Sequence, residues 1–554
     1  MAQVRIASDD DATAEGAPAP SDRSARPGPR PKPSGGRRRW PGRRPAVEAL
    51  GLVALVAGSL ALRLEGLEVS LWLDEGISVG IASHPLVDIP ALLVQDGSPP
   101  LYYLLLHGWM NLFGDSAVAV RSLSLLFALA MVPAAYFAGR SLFGRRAGWI
   151  AATLAATSPY LSYWGREARM YTLLALVSLV AVTSLLHVFA FRRPRRRHWL
   201  AVLTVSLALV LYIHNWGLHL VAAAALATTA CWFVRPDRRR VLVDAAIAFG
   251  GAALLYAPWV PSLWRQLRET GAPWSVAPIP REAVSAVGSV LGDERVLVAL
   301  LVAAGAPLVR LALQSHSGEG RAATSLAVLC GATVVLAWTV AQFAPGWSPR
   351  YFGIFLAPLL VVAALGLSRG GATGLVAFAL IVLFWTQPLS RLAGIRPTPA
   401  PNEKSNAAEV AETVVPMANP GDLVISTQFE HVPLLHYYFG DDLRYATPLG
   451  LVPDPQVVDW RNALQRLQAS TPATGLDPLL DDLDRGDQVF LVCPLLTTGP
   501  DALPWFRIMD LRCRSWREAL DGDPAMALRL DQYPPLDQED PGSGVFVLGY
   551  EKVA

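Results

Sequence analysis

Leu71-Trp72-Leu73-Asp74-Glu75-Gly76 follows closely on an apolar run, 46–64, of the length a helix needs to cross a bilayer. Two adjacent carboxylates beside hydrocarbon are costly to place, so a pair at a membrane surface is read first as functional. The remaining chain supports that setting. It has 554 residues, 53% of them hydrophobic and only 17% charged, where a soluble chain of this size runs nearer a quarter charged. Long apolar runs make a polytopic membrane protein the expected class.

Eleven spans are predicted, near 46–64, 118–138, 147–164, 168–190, 199–215, 217–234, 241–262, 296–313, 323–343, 351–367 and 371–389. Basic clusters orient them. Arg37–Arg39 and Arg43–Arg44 precede the first span, Arg140, Arg145 and Arg146 follow the second, Arg192, Arg193 and Arg195–Arg197 follow the fourth, and Arg235 and Arg238–Arg240 follow the sixth. All fall on one side if the N-terminus is cytoplasmic, as the positive-inside bias requires. An odd number of spans then puts the C-terminal region outside. Leu101–Phe113 is apolar but short, and His107, Trp109 and Asn111 interrupt it. Counting it as a crossing would throw Arg140–Arg146 outside, so it reads as an interfacial helix on the outer surface.

Three regions follow. Residues 1–46, rich in Arg, Pro and Gly, read as a disordered basic cytoplasmic tail, and the first span reads as a retained anchor. Residues 47–390 form the membrane domain. Residues 391–554 read as a small extracytoplasmic α/β domain: Leu423–Thr427, Val489–Val492 and Val545–Tyr550 as strands, Val457–Ala469 and Trp505–Leu520 as amphipathic helices, and Asn419-Pro420-Gly421-Asp422 and Asp540-Pro541-Gly542 as turns. From Thr398 onward there are 24 Asp and Glu against 11 Lys and Arg, so the overall net charge of +2 conceals an acidic outer region. Cys493 and Cys513 both fall there, where oxidation is chemically available. No Cys/His set has zinc spacing, and no glycine-rich phosphate loop is present.

The outer face collects the chemistry. Asp74 or Glu75 can act as a base. Arg166 and Arg169, three apart, would share a face if the turn Tyr163–Tyr171 were helical. Arg350 and Tyr351 form a second cationic site, and Asp96-Gly97-Ser98-Pro99-Pro100 is a rigid turn opening the interfacial helix. Taken singly, each has a plainer reading. The acids could be a solvated pair, the arginines helix-end anchors, and His214 an ordinary interface histidine. Tyr102, Tyr103, Trp72 and Trp109 could be an aromatic belt. Their convergence on one face favours an enzyme acting on a lipid-linked substrate.

In order along the chain, Leu71–Glu75, Ser98–Tyr103, Gly114–Ser122, Ser141–Gly148 and Ser158–Tyr171 resemble the family 39 glycosyltransferases of the GT-C fold. That family includes protein O-mannosyltransferases and bacterial aminoarabinose transferases. The resemblance covers roughly 47–190 by motif, and the spans to 390 by hydropathy and Arg350-Tyr351. It implies a GT-C-like membrane domain, a polyprenyl-phosphate-linked sugar donor (mannose or a pentose), and inverting transfer outside the cytoplasmic membrane to a glycan, lipid or protein. Asp74 would be the base with Glu75 supporting it. Arg166, Arg169, Tyr171, Arg350 and Tyr351 would bind the donor phosphate, and Tyr102, His107 and His214 would be the substrate contacts. No cofactor is demanded, although a divalent ion bridging Asp74 and the phosphate is compatible with the residues; no nucleic-acid partner is indicated. Two positions depart from the aminoarabinose transferases: Ile77-Ser78 stand where those enzymes carry an Arg, and Ser98 where they carry a Lys. The rival readings are a transporter or flippase of a lipid-linked sugar and a non-catalytic envelope scaffold. A transporter would place ionisable groups at mid-membrane, and these spans are nearly free of them.

Overall fold

In the computed structural model the described residues are 43–191, 196–314, 316–392, 394, 404–496, 498–499, 502–532 and 544–554. The basic tail with Arg37–Arg39, the cluster Arg192, Arg193 and Arg195, and the turn Asp540-Pro541-Gly542 lie outside them.

The first apolar run forms α1 (Arg43–Ala61). The loop after it is mostly helical: α2 (Leu73–Ser83), α3 (Ile89–Asp96) and α4 (Leu101–Phe113). α4 is the short apolar run read as interfacial, and it is helical throughout. It buries Tyr102, Tyr103 and Leu106 and exposes Leu112 and Phe113. Ser116 then caps α5 (Ala117–Phe143), and Gly144, in a positive-φ conformation that suits glycine, turns the chain into α6 (Arg145–Thr157). The predicted span 147–164 is broken at Ser158, which caps the short α7 (Pro159–Trp164) with proline in its first turn. There follow α8 (Tyr171–Leu185), continued by a π turn to Phe191, α9 (Arg196–Ile213) and α10 (Gly217–Val234). Beyond these run Arg238–Glu269, Glu294–Leu313, Gly318–Ala341, Pro349–Arg369 and the shorter Gly371–Trp385.

All eleven predicted spans are helical over most of their length. Among the described residues eight helices are long and apolar enough to cross a membrane, and the chain is a multi-pass membrane protein. α6 and Gly371–Trp385 are shorter, as is the apolar stretch Pro45–Ala61 of α1. The runs Tyr171–Phe191 and Pro349–Arg369 are 83% and 89% buried by protein, against 22–44% for the other six, so these two form the centre of the bundle. Both begin at the site described below.

The C-terminal region is an α/β domain whose six strands are β1 (Leu423–Ser426), β2 (Arg444–Thr447), β3 (Gly450–Leu451), β4 (Gln488–Pro494), β5 (Met526–Gln532) and β6 (Val545–Lys552). The order is β3-β2-β1-β4-β6-β5, with β1 parallel to β2 and β4, and β6 antiparallel to β4 and β5. The helix Pro504–Gly522 packs on β4, and the Cys493–Cys513 disulfide joins the two. Only Ala463–Ala469 of the expected helix Val457–Ala469 is helical.

The domain is seated on the first loop. Gly76 and Gly80 of α2 face Leu434 and the Gln456 carbonyl so closely that a Cβ would lie 2.8 and 2.2 Å from them. The Tyr438 hydroxyl accepts from Leu71 N at 2.7 Å, His84 Nε2 lies 3.0 Å from Asp454 Oδ2, and Asn462 N donates to the Glu269 carbonyl at 2.7 Å.

Candidate active site

The two acids of the opening motif occupy the first turn of α2, where the helix dipole favours negative charge, but they do different work. Glu75 points inward and is fully buried. Its carboxylate takes both ends of the Arg121 guanidinium, at 2.8 Å from Nε and 2.6 Å from Nη2. It also accepts Trp72 N at 3.3 Å and Ala168 N at 2.8 Å. Arg121 spends its other donors on the carbonyls of Leu67 (3.0 Å), Val69 (2.6 Å) and Ser70 (3.0 Å). Glu75 therefore has no capacity left for substrate. With Arg121 it pins the loop that presents Asp74.

Asp74 faces the partly open side. Arg350 Nη1 lies 2.5 Å from Asp74 Oδ2, and Arg169 Nε lies 3.9 Å from the same oxygen. Arg169 is held in place by Nη1 donation to the Asp74 carbonyl (3.2 Å) and to Ser78 Oγ (3.0 Å). Burial opposes ionisation of Asp74, but Arg350, Arg169 and Lys404 outweigh it and hold its carboxyl below the usual range. Both arginines keep a buried Nε without a hydrogen-bond partner, so each has a donor to spare.

Aromatic rings shape the cations. Arg350 lies 4.9 Å from the Trp274 ring centroid and 5.3 Å from that of Tyr351, and Arg169 lies 5.9 Å from that of Tyr171. His214 packs on Tyr351 at 4.6 Å, and its Nδ1 accepts Trp216 N at 3.1 Å. Burial, then Arg169 and Arg350, push its pKa down to about 3, so His214 is neutral. Beside Arg350 a cavity of about 320 Å³ is lined by Trp274, Val276, Ala286, Trp347 and Pro349 with Ser275, Ser285, Ser289 and Glu282.

Three expectations are corrected. Residues 165–170 are not helical, and Arg166 diverges from Arg169: its Nε donates to the Ser162 carbonyl (2.9 Å) and its Nη1 to that of Glu65 (3.2 Å). Arg166 is a loop clamp away from Asp74. Tyr102 is buried and bonded to Ser124 Oγ at 2.9 Å, in the framework that also receives the Arg169 carbonyl. His107 Nδ1 lies 2.9 Å from the Ala82 carbonyl of α2 and Nε2 lies 3.0 Å from Asn111 Nδ2 one turn further along α4, so both ring nitrogens are taken, the first in holding α4 to α2. Neither residue has a free edge for substrate.

Three residues near the site carry no site role in the sequence reading. Arg121 was visible as an arginine at the start of an apolar helix. Asp96, at the end of α3, has a buried Oδ2 without a partner, and burial raises its pKa against a Ser98 hydrogen bond. Lys404 enters from the C-terminal segment and ion-pairs with Glu167. Among the described residues no group of three or more His, Cys, Asp and Glu side chains is placed to hold a metal ion.

The carboxylate Asp74 and its two arginines thus stand at the ends of the two most enclosed helices and under an α/β domain. This is a multi-pass membrane protein with the GT-C fold, the fold of the polyprenyl-phosphate-linked glycosyltransferases. Residues 97–264 match the family model of the dolichyl-phosphate-mannose-protein mannosyltransferases. The structure is similar to ArnT from Cupriavidus metallidurans in the apo state, with 14% identity and a TM-score of 0.58 over 91% of this chain and 98% of that one. The same protein bound to undecaprenyl phosphate gives 13% and 0.56 over the same shares. The archaeal oligosaccharyltransferase AglB from Archaeoglobus fulgidus, in complex with an inhibitory peptide and a dolichol-phosphate, is similar at 13% identity and a TM-score of 0.52, over 80% of this chain and 69% of that one. The arabinofuranosyltransferase AftD from Mycobacteria gives 16% and 0.51, over 91% of this chain and 40% of that one. No curated protein matches the chain. At these identities the likeness is one of fold.

Proposed function

We propose that this protein transfers a sugar from a polyprenyl-phosphate donor to an extracytoplasmic acceptor, with inversion at the anomeric carbon and Asp74 as general base. The observation that carries this reading is Asp74 Oδ2 held 2.5 Å from Arg350 and 3.9 Å from Arg169, with spare guanidinium donors on both. An anionic phosphate entering this site competes with Asp74 for the two arginines. It takes up their free donors and leaves the carboxylate a lone pair for the acceptor hydroxyl. The hydroxyl gives its proton to Asp74 as its oxygen bonds to the anomeric carbon. The bond from that carbon to the phosphate oxygen breaks, and the polyprenyl phosphate leaves with one more negative charge, which Arg169 and Arg350 neutralise. His214, neutral and fixed by Trp216, adds no charge to the site; it supports the Tyr351 ring on which Arg350 lies. The cavity beside Arg350, walled by Trp274 and Trp347, suits the apolar start of the lipid.

An outer location for the site is favoured by the Cys493–Cys513 disulfide, since such bonds persist in oxidising compartments. The short basic loops on the opposite face agree with it. The fold neighbours transfer different sugars, so the sugar itself is left to experiment. The test is product formation by the purified full-length chain with radiolabelled polyprenyl-phosphate mannose and polyprenyl-phosphate pentose, each with extracted envelope glycan as acceptor. Transfer from one donor supports the reading. Movement of the lipid between leaflets without any transfer would instead indicate a flippase.

A further inference from the structure

Arg169 projects from residues 165–170, a turn without regular backbone bonding. Its shape is therefore imposed from outside, and three anchors do this beside the Arg166 and Arg169 side-chain bonds given above. Glu75 accepts Ala168 N at 2.8 Å, Ser124 Oγ donates to the Arg169 carbonyl at 2.9 Å, and Glu167 ion-pairs with Lys404. The first two come from the membrane half. The third does not. Lys404 lies two residues before Asn406, whose side-chain amide is bonded on both sides to Val545 of β6, at 2.7 and 2.8 Å. The lysine is thus tied to the sheet of the C-terminal domain. Its ammonium lies 4.1 Å from the ring centroid of Trp72, 4.8 Å from that of Tyr163 and 5.7 Å from that of Trp164. Trp72 belongs to the strip carrying Asp74, and Tyr163 and Trp164 lead into the turn carrying Arg169. Trp164 in turn packs on Tyr171 at 4.8 Å. One ammonium therefore touches both pieces of chain that bear the central charges, and it is one of only three lysines in the sequence.

We infer that Lys404 is a positioning residue through which the C-terminal domain sets the place of Arg169 and so completes the donor-phosphate site. The inference rests on the transferase reading of that site. Lys404 acts on Oε1 of Glu167, and the other oxygen of that carboxylate, Oε2, is buried without a hydrogen-bond partner. Without the ammonium that carboxylate is left with no cation in contact, and the turn next to Arg169 loses its outer anchor. The aromatic surround explains why a cation is used, since each ring face adds attraction that a neutral side chain would not receive. The C-terminal domain is then a structural part of the phosphate site.

The experiment measures binding of undecaprenyl phosphate alone to the full-length protein in lipid nanodiscs, with donor KM and kcat determined in parallel. Lys404→Met is expected to weaken binding and raise the donor KM by about tenfold, with a smaller effect on kcat. Lys404→Arg, which keeps the charge and the ring contacts, is expected to stay within about threefold of wild type. Lys404→Met combined with Glu167→Gln should be no worse than Lys404→Met, because both remove the same pair. Wild-type affinity in Lys404→Met overturns the inference, as does equal weakening in the Met and Arg variants. If Lys404→Met does not fold, Glu167→Gln removes the pair from the other side and must show the same loss. Binding without transfer by the wild type would defeat the transferase reading and leave this inference standing. Transfer with an unaffected Lys404→Met would do the reverse.

Discussion

Arg121→Met is expected to damage this protein out of proportion to its distance from the reacting atoms. The Arg121 and Glu75 side chains are 3% and 0% exposed, and the pair is bidentate at 2.8 and 2.6 Å. Arg121 also closes the preceding loop through three carbonyls, at 2.6 to 3.0 Å. With methionine in its place, Glu75 keeps only Trp72 N and Ala168 N, and its carboxylate becomes an unpaired buried charge. Breaking a buried pair from one side costs about 3–5 kcal/mol. Glu75 anchors both the turn of α2 bearing Asp74 and the turn bearing Arg169, so transfer should fall with stability. The assay is thermal unfolding of purified protein in detergent beside transfer activity. Arg121→Met should unfold well below wild type. Arg121→Met with Glu75→Met should recover part of that loss, since removing both charges costs less than stranding one. Wild-type unfolding and activity in Arg121→Met would refute the assignment, as would a double variant less stable than the single one.

Further outcomes follow from other parts of the structure. Glu430, beside the C-terminal end of β1 and 3% exposed, has its pKa pushed up to about 7 by burial, against hydrogen bonds to its own backbone, Gln428 and Trp505. Its folded value exceeds the unfolded one, so its unfavourable contribution grows as pH rises from about 4.5 to about 7 and is complete above that. Glu430→Gln should therefore stabilise the protein above pH 7 by roughly 3 kcal/mol and have little effect near pH 4.5, as read by unfolding across pH. Gly80→Ala places a Cβ 2.2 Å from the Gln456 carbonyl, so it should loosen the C-terminal domain and expose its edge to protease; an unchanged digestion pattern would contradict the seating described here. Reduction of Cys493–Cys513, which closes a loop of sequence separation 20, should cost about 3 kcal/mol of that domain's stability, measurable as a lower unfolding temperature in reductant.

Much of this fold can be read from hydropathy because a bilayer leaves few choices: each long apolar run must satisfy its backbone internally and so becomes a helix. The carboxylate Asp74 was legible for a similar reason, since charge at a membrane surface is costly. Its partner Arg350 stands 276 residues away, and no spacing rule links them; only the shared outer face suggested a meeting. Arg166 and Arg169 were grouped on an assumed helical turn, and tertiary anchors on Ala168 and Glu167 undid that periodicity. Tyr102 and His107 looked like polar interruptions open to substrate, whereas each turns inward to a hydrogen-bond partner on a neighbouring segment. Arg121 stood in the sequence only as a member of the motif Gly114–Ser122, and nothing local announces that its guanidinium clamps a loop some fifty residues earlier. In the C-terminal domain the buried strands β1, β4 and β6 declared themselves as apolar runs. β5 buries only one of its seven residues and β2, Arg444–Thr447, mixes polar with apolar side chains, so neither gave a pattern strong enough to assign.

The central claim is that an ionised Asp74, freed from Arg350 when the donor phosphate binds, takes the acceptor proton. Asp74→Asn keeps the shape and removes the base, so single-turnover transfer from bound radiolabelled polyprenyl-phosphate sugar tests it most directly. The chemical step should slow by about a hundredfold or more, with undecaprenyl phosphate binding retained. A single-turnover rate equal to wild type in that variant would contradict it.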